Sequence, residues 1–297
     1  MILQRQQDVT PAVLEVMART DDPRLREILS SLVTHLHAFA RDVHLTEDEL
    51  RAATAVLNEM GRLATDTHNE TVLMAGSLGV STLVCLLNNG DDGATETSQS
   101  LLGPFWRMHS PRVESGGSII RSDTPGPALF ADFRVEDREG RPIAGAEIDI
   151  WHSSPVGLYE NEDPEQAEMN LRGTFTTDAD GRIAFRSVKP AGYPIPTGGV
   201  VGRLLAVQDR HPYRPAHVHA LVFREGYKTL TSQVYVDDDP NLESDVQLGV
   251  TRALVGGFRR HDEPHPSEPG VDAPWYSVDY TFVMEPGEAR LPVPPIK

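Results

Sequence analysis

The sequence predicts an α+β protein in which a helical first third is followed by a mainly antiparallel β-sandwich. Three observations carry that expectation. Apolar residues recur at helical spacing through residues 25–87, the period changes to that of strands from residue 131, and a run of Asn, Gly and Asp separates the two patterns. With 297 residues and an ordinary hydrophobic share, the chain is long enough to bury a core.

The first helix is expected to start at Asp21-Asp22-Pro23, acid before a proline in the first turn. Leu25, Ile28, Leu29, Leu32, Val33, Leu36 and Phe39 then fall at the spacing of one buried stripe. Thr46-Glu47-Asp48-Glu49 has the capping-box pattern and opens a second helix carrying Leu50, Ala53, Leu57 and Met60. Residues 72–87 are apolar nearly all round, too few to span a bilayer, and predict one buried helix. The cluster Asn88-Asn89-Gly90-Asp91-Asp92-Gly93 marks a loop. The domain boundary is placed there, giving residues 1–100 and 101–297. Leu102-Gly103-Pro104-Phe105-Trp106 opens the second part.

Strand patterns follow. Phe133 and Val135 alternate with polar residues, Asp137-Arg138-Glu139-Gly140 is a turn, and Ile148 and Ile150 alternate again. Segments 174–177 and 182–188 flank Asp178-Ala179-Asp180-Gly181, a hairpin signal. Segments 204–207, 217–223, 230–236 and 275–284 complete the strands, with a helix expected over 244–258 and an extended Pro-rich tail from residue 285.

The formal net charge of -17 argues against nucleic acid and against an anionic membrane surface as partners. The single cysteine, Cys85, excludes a disulfide within the chain and reads as a small buried hydrophobe. The N-terminal stretch turns polar at once, with neither a signal peptide pattern nor an apolar run of spanning length, so a cytoplasmic protein is expected. No phosphate-binding glycine loop is present, and no nucleotide cofactor is implied. His35, His37, His44 and His68 read as surface or helix-end residues.

Chemistry concentrates in Tyr193-Pro194-Ile195-Pro196 and in Arg210-His211-Pro212-Tyr213-Arg214-Pro215-Ala216-His217-Val218-His219. On a strand, His217 and His219 point to one face and make half of a metal site, though two histidines on a strand also occur by chance. The prolines stiffen both segments, which suits a preorganised site. Upstream stands Gly157-Leu158-Tyr159-Glu160. Taken in order, these motifs resemble the intradiol ring-cleavage dioxygenases, most closely their hydroxyquinol 1,2-dioxygenase branch. The similarity runs from about residue 67 to about residue 280. A lone HxH is a weak signal; the ordered set of Tyr, Tyr, Arg and HxH is specific.

The resemblance implies a non-haem ferric ion, one per chain, held by Tyr159, Tyr193, His217 and His219. A phenol has a pKa of about 10 and must be ionised to bind a metal, a demand that ferric iron meets. It further implies that Arg214 stabilises negative charge on the bound ring, that Tyr159 acts as a base, and that Gln233 lies near the reacting carbon. Leu73, Gly76, Leu102, Gly103, Pro104, Phe105, Ile195 and Pro196 correspond to pocket positions. Substrates would be a catechol-type compound and O2, and the N-terminal helices would join a homodimer, in some relatives with a bound lipid. Where hydroxyquinol enzymes typically carry an aspartate in the buried helix, this chain has Gly76, which leaves room and removes a hydrogen bond to a third ring hydroxyl. Hydroxyquinol, catechol, an alkyl- or chlorocatechol and a bulkier triol all remain candidates.

The competing readings are a structural Tyr159 and Tyr193, a surface salt bridge for Arg214 and a surface Gln233. Tyr213, Tyr227 and Tyr235 are expected to be structural. At the level of the whole protein the alternatives are a non-catalytic β-sandwich binding module and a zinc hydrolase using His152, His217 and His219. A cupin motif fails because Glu225 is misplaced, and Asp237-Asp238-Asp239-Pro240 lacks the glycine and terminal glutamate of a calcium loop. His261 and His265 are expected to be exposed.

Overall fold

The computed structural model describes residues 2–65, 68–89 and 99–294. Most of the predicted loop at 88–100 lies outside the described residues. Two compact units divide the chain, Met1–Glu59 and Met60–Lys297.

The first unit contains α1 (Gln6–Met17), α2 (Pro23–Asp42) and most of α3 (Glu47–Leu63). Both sequence caps form. Asp22 Oδ1 accepts from the Leu25 backbone at 2.9 Å, and Glu49 Oε2 accepts from the Thr46 backbone at 2.8 Å while Glu49 N donates to Thr46 Oγ1. The helix α1 was not anticipated; Arg41 Nη2 donates to its Thr10 Oγ1 at 3.1 Å. The stripe expected to be buried is not covered by the chain itself: Leu25, Ile28, Leu32, Leu36 and Phe39 are each about half exposed. Its period is helical, but period does not say what covers a face.

In the second unit, the single helix expected over 72–87 is two helices, α4 (Glu70–Ser77) and α5 (Val80–Asn89), bent by 74°. Gly79, at φ +73°, makes the break. Leu78, Leu83 and Leu87 are exposed rather than buried. Among the described residues no single helix is long and apolar enough to cross a membrane.

The strands are β1 (Ala128–Asp137), β2 (Glu147–His152), β3 (Arg172–Thr176), β4 (Arg182–Val188), β5 (Tyr193–Pro194), β6 (Tyr213–Arg214), β7 (His217–Phe223), β8 (Leu230–Val236), β9 (Val255–Gly256), β10 (Arg259–His261) and β11 (Trp275–Met284). One sheet has the order β10-β11-β1-β4 and the other β3-β2-β7-β8-β9, with β5 and β6 forming a separate pair. The pairs β1–β11 and β8–β9 are parallel, so the sandwich is mixed rather than wholly antiparallel. Phe133, Val135, Phe185 and Phe282 from one sheet meet Ile148, Ile150, Val218 and Val234 from the other in a common core. β1 alternates between buried and half-buried residues as a one-sided strand should, whereas β8 is buried throughout. The second face of β7 and β8 is therefore covered as well, and it carries polar residues.

Two segments depart from the sequence reading. The run expected as a strand at 204–207 ends α6 (Val200–Val207), in which Val201 and Leu205 are buried at helical spacing; so short an apolar run fits either period. The helix expected over 244–258 is replaced by 3-10 turns at Leu242–Ser244 and Arg252–Leu254. Asp245 explains the loss. Its carboxylate accepts from the backbone N–H of Gln247 and of Gly249, groups an α-helix would have used.

Candidate functional site

β7 places His217 and His219 on one face, and its neighbours complete that face. Trp151 on β2 pairs with His219 in register, and their rings stack 4.6 Å apart at 6°. β8 pairs Gln233 with His219 and Tyr235 with His217. On the other side, β5 pairs Tyr193 with Arg214 of β6. Tyr159 arrives from the loop after β2. Two glycines make the convergence possible. Gly157, at φ +81°, lies so close to β5 that a Cβ would stand 3.0 Å from the Gly192 carbonyl, and a Cβ on Gly103, at φ +74°, would stand 3.2 Å from the His219 ring.

The four donor atoms form a chain of close approaches. Tyr159 Oη is 3.4 Å from Tyr193 Oη, Tyr193 Oη is 3.5 Å from His217 Nε2, and the two Nε2 atoms are 3.1 Å apart. All four residues are buried. His217 Nδ1 donates to the Pro215 carbonyl at 2.7 Å, which leaves its Nε2 lone pair facing the cluster. His219 Nδ1 is buried without a hydrogen-bond partner. Burial, with Arg214 beside it, pulls His217 down to about 3; burial, with His217 and then Arg214, pulls His219 well below its usual value. Both imidazoles are neutral and able to act as ligands. Burial pushes both phenols up, Tyr193 adding to the rise at Tyr159 and Arg214 opposing it at Tyr193. Their ionisation requires a nearby cation.

The donor set fits a small metal ion. Two donors about 2.1 Å from one ion, subtending 90–110°, stand roughly 3.0–3.4 Å apart, the spacing of these atoms. Among the described residues no three His, Cys, Asp or Glu side chains gather at metal-binding distance, so a metal centre at this cluster would need the two phenols as ligands. Zinc through His152 does not fit. Its Nδ1 bonds the Ser153 carbonyl and its Nε2 bonds Ser187 Oγ, both at 2.7 Å, on the opposite side of β2 from Trp151.

Arg214 is buried, not a surface residue. Nη1 lies 3.5 Å from His217 Nε2, Nη2 donates to Gln233 Oε1 at 3.0 Å and to Tyr235 Oη at 2.5 Å, and Nε donates to Asp245 Oδ1 at 3.2 Å. Burial weakens the charged guanidinium, but Asp245, then Tyr235 and Tyr193, more than offset it and hold the pKa well above its usual value. Gln233 is wholly buried; its Nε2 donates to the Leu101 carbonyl at 2.7 Å, and its Oε1 also accepts from Tyr235.

Asp245 and Tyr235 were missed by the sequence reading. Tyr235 was detectable, two residues after Gln233 on the same strand face. Asp245 was not, because nothing local distinguishes it from other loop acids.

Of the expected pocket residues, Leu102 and Phe105 pack on Tyr159, Tyr193 and Trp151, with the Phe105 ring 4.4 Å from that of Tyr159. Leu73 and Ile195 join Val201, Leu205 and Val246 in a separate cluster. Pro104 is half-buried and Pro196 exposed. Gly76 does not leave room. A Cβ there would stand 1.9 Å from Gln247 Oε1, so the side chain of Gln247 already fills the space.

His261 and His265, expected to be exposed, are half-buried. His261 stacks on Trp275 at 3.7 Å and His265 on Phe130 at 4.4 Å.

Two family models match the chain: one described as dioxygenase over residues 102–286, and one described as catechol dioxygenase N terminus over residues 22–96. Hydroxyquinol 1,2-dioxygenase of a Rhizobium species is 39% identical over 276 residues, 92% of each chain. Catechol 1,2-dioxygenase of Candida albicans is 35% identical over 94% of this chain and 92% of its own. The crystal structure of hydroxyquinol 1,2-dioxygenase from Pseudomonas putida superimposes with a TM-score of 0.84 at 34% identity, covering 95% of this chain and 99% of that one.

Proposed function

The chain belongs to the intradiol ring-cleavage dioxygenases, and from that membership we propose that it opens the aromatic ring of hydroxyquinol or a related catechol between adjacent hydroxyls, with both atoms of O2 entering the product. The family uses non-haem iron. In this chain Tyr159, Tyr193, His217 and His219 would hold one ferric ion, which would supply a Lewis acid for the substrate's hydroxyls. The observation that carries the reading is the buried convergence of two phenol oxygens and two Nε2 atoms beside Arg214.

The chain's own residues do the rest. Tyr159 Oη takes a proton from a substrate hydroxyl as the substrate enters. The Arg214 guanidinium, fixed by Asp245, Tyr235 and Gln233, stabilises negative charge that grows on the ring. Trp151, stacked on His219, fixes that imidazole plane. Leu102 and Phe105 keep water from the phenols.

Residues 1–100 serve as the helical linker and dimerisation domain and residues 101–297 as the catalytic domain, a division the spans of the two family models support. The half-exposed stripe of α2 is suited to pairing with a second copy. A cytoplasmic location accords with the lone cysteine.

The test is the visible spectrum of the protein loaded with ferric iron, followed by O2 uptake with hydroxyquinol and with catechol. A broad visible band that shifts on anaerobic addition of substrate, and consumption of one O2 per ring, are expected. A protein that stays colourless after loading would remove the two phenols from the centre.

A further inference from the structure

We propose that Arg172 is a positioning residue for Tyr159: through a buried ion pair with Glu160, the next residue in the chain, it fixes where the Tyr159 phenol stands beside Tyr193 and His219. The inference deepens the catechol-cleaving reading above and rests on it.

Tyr159 is the donor that most needs such help. Tyr193 stands on β5, and His217 and His219 stand on β7, so a strand ladder sets the direction of each. Tyr159 stands in the loop between β2 and β3, where no ladder acts. A site group carried by a loop is held less precisely than one carried by a strand, unless other contacts lock it.

Three sets of contacts lock this loop. Arg172, the first residue of β3, is 1% exposed, and its Nε lies 2.8 Å from Glu160 Oε2 as an ion pair, without the alignment of a hydrogen bond. Arg107 Nη1 donates to the other carboxylate oxygen, Glu160 Oε1, at 3.0 Å, from the segment whose Phe105 ring lies 4.4 Å from the Tyr159 ring. Buried Asn170 ties the two ends of the loop. Its Nδ2 donates to Gln166 Oε1 at 3.0 Å, and Gln166 Nε2 donates at 3.2 Å to the carbonyl of Leu158, the residue before Tyr159. Met169 and Leu171, on either side of Asn170, hold left-handed backbone at φ +60° and +57°, a strain that persists only where neighbouring contacts impose it.

Pairing across β3, β2, β7 and β8 lines up Arg172, Trp151, His219 and Gln233, so Arg172 is rooted in the sheet that carries His219. Its ion pair therefore refers the loop-borne phenol to the same sheet as the imidazole. Burial, then Tyr193, raises the Tyr159 pKa, and Arg214 and then Arg172 oppose that rise, so the Arg172 charge is felt at the phenol. A buried ion pair is a costly way to gain stability, because apolar residues of similar volume serve as well or better. What this one supplies is a fixed position, and misplacing a reacting group by about 1 Å costs on the order of 100-fold in rate.

The experiment records the visible band of the iron-loaded parent, Arg172→Met, Tyr159→Phe and the double variant. It also measures kcat/KM of the parent and of Arg172→Met, with whichever of hydroxyquinol and catechol the parent turns over faster. Arg172→Met should shift the band and lower kcat/KM about 100-fold. In Tyr159→Phe the band should come from Tyr193 alone, and adding Arg172→Met should leave it unmoved. An unmoved band in Arg172→Met would overturn the proposal. So would a shift of the same size with and without the Tyr159 hydroxyl, which is the signature of a general structural role. If Arg172→Met does not fold, Arg172→Met/Glu160→Leu, which removes both charges together, takes its place and is read in the same way. A parent without a visible band overturns the iron-centre reading itself, whereas a parent with the band and an unmoved band in the variant overturns only the role of Arg172.

Discussion

The strand pair β7–β8 and the segment 245–249 meet at Arg214, but different physics holds each in place. The pair β7–β8 is fixed by sheet hydrogen bonds and by a core that buries its far face, so His217, His219, Gln233 and Tyr235 inherit their directions from the pleat. The segment 245–249 has no such ladder. Asp245 organises it, accepting from two backbone N–H groups and from Arg214. The strand pair carries the two imidazoles, and the segment lies beside them through Asp245 and Arg214.

Substitutions can break that division, and the largest effect is expected on the strands. His219→Ala should abolish turnover and weaken iron retention by more than the roughly 10–100-fold that outer partners of a metal typically cost. Metal analysis and the visible band would check it, and full activity would remove His219 from the centre.

Arg214→Lys comes next. It keeps the charge but loses the fork that bonds Asp245, Gln233 and Tyr235 together, and kcat is expected to fall about 100-fold with iron content retained. An unchanged kcat would show that charge alone suffices.

Asp245→Ala tests whether the segment is as dependent on one residue as its hydrogen bonds imply. It leaves a buried guanidinium without its carboxylate, and stability should fall by about 3–5 kcal/mol in denaturant titration. The sign with pH follows from the same pair. Burial disfavours the ionised Asp245, but Arg214 holds its carboxyl below the usual value. Its stabilisation is therefore present above the unfolded carboxylate pKa and lost as pH falls through the folded one. The acid-side loss should shrink in the variant.

The smallest effect sharpens the comparison from outside it. Asp22→Ala removes the α2 cap in the first unit and should cost about 1 kcal/mol while leaving the visible band unchanged. A spectral change would mean that the helical unit acts on the iron site.

Much of the strand-borne half was legible in the sequence. Period-two alternation gave β1 and β2, β7 and β8 were read as short strands between turns, and the spacing of His217 and His219 put both on one face. Tyr159 and Tyr193 were reached only through ordered resemblance, because nothing local marks a ligand tyrosine. The segment 245–249 was not legible. Asp245 suppresses a helix by a side-chain bond that propensity does not count, and Gly76 read as open space because its neighbour, Gln247, lies 171 positions away in the chain.

By itself the sequence determined the change from helices to strands, the two caps that start α2 and α3, and the pairing of two imidazoles on β7, since these depend on residues within a few positions of one another. Only the tertiary structure decided how the phenols of Tyr159 and Tyr193 reach those imidazoles, that α4 and α5 part at Gly79, that the α2 stripe is left uncovered, and that Gln247 fills the gap at Gly76. The meeting of the phenols with the imidazoles and the filling of the gap at Gly76 depend on which distant surfaces meet, and that is set by packing rather than by any local period.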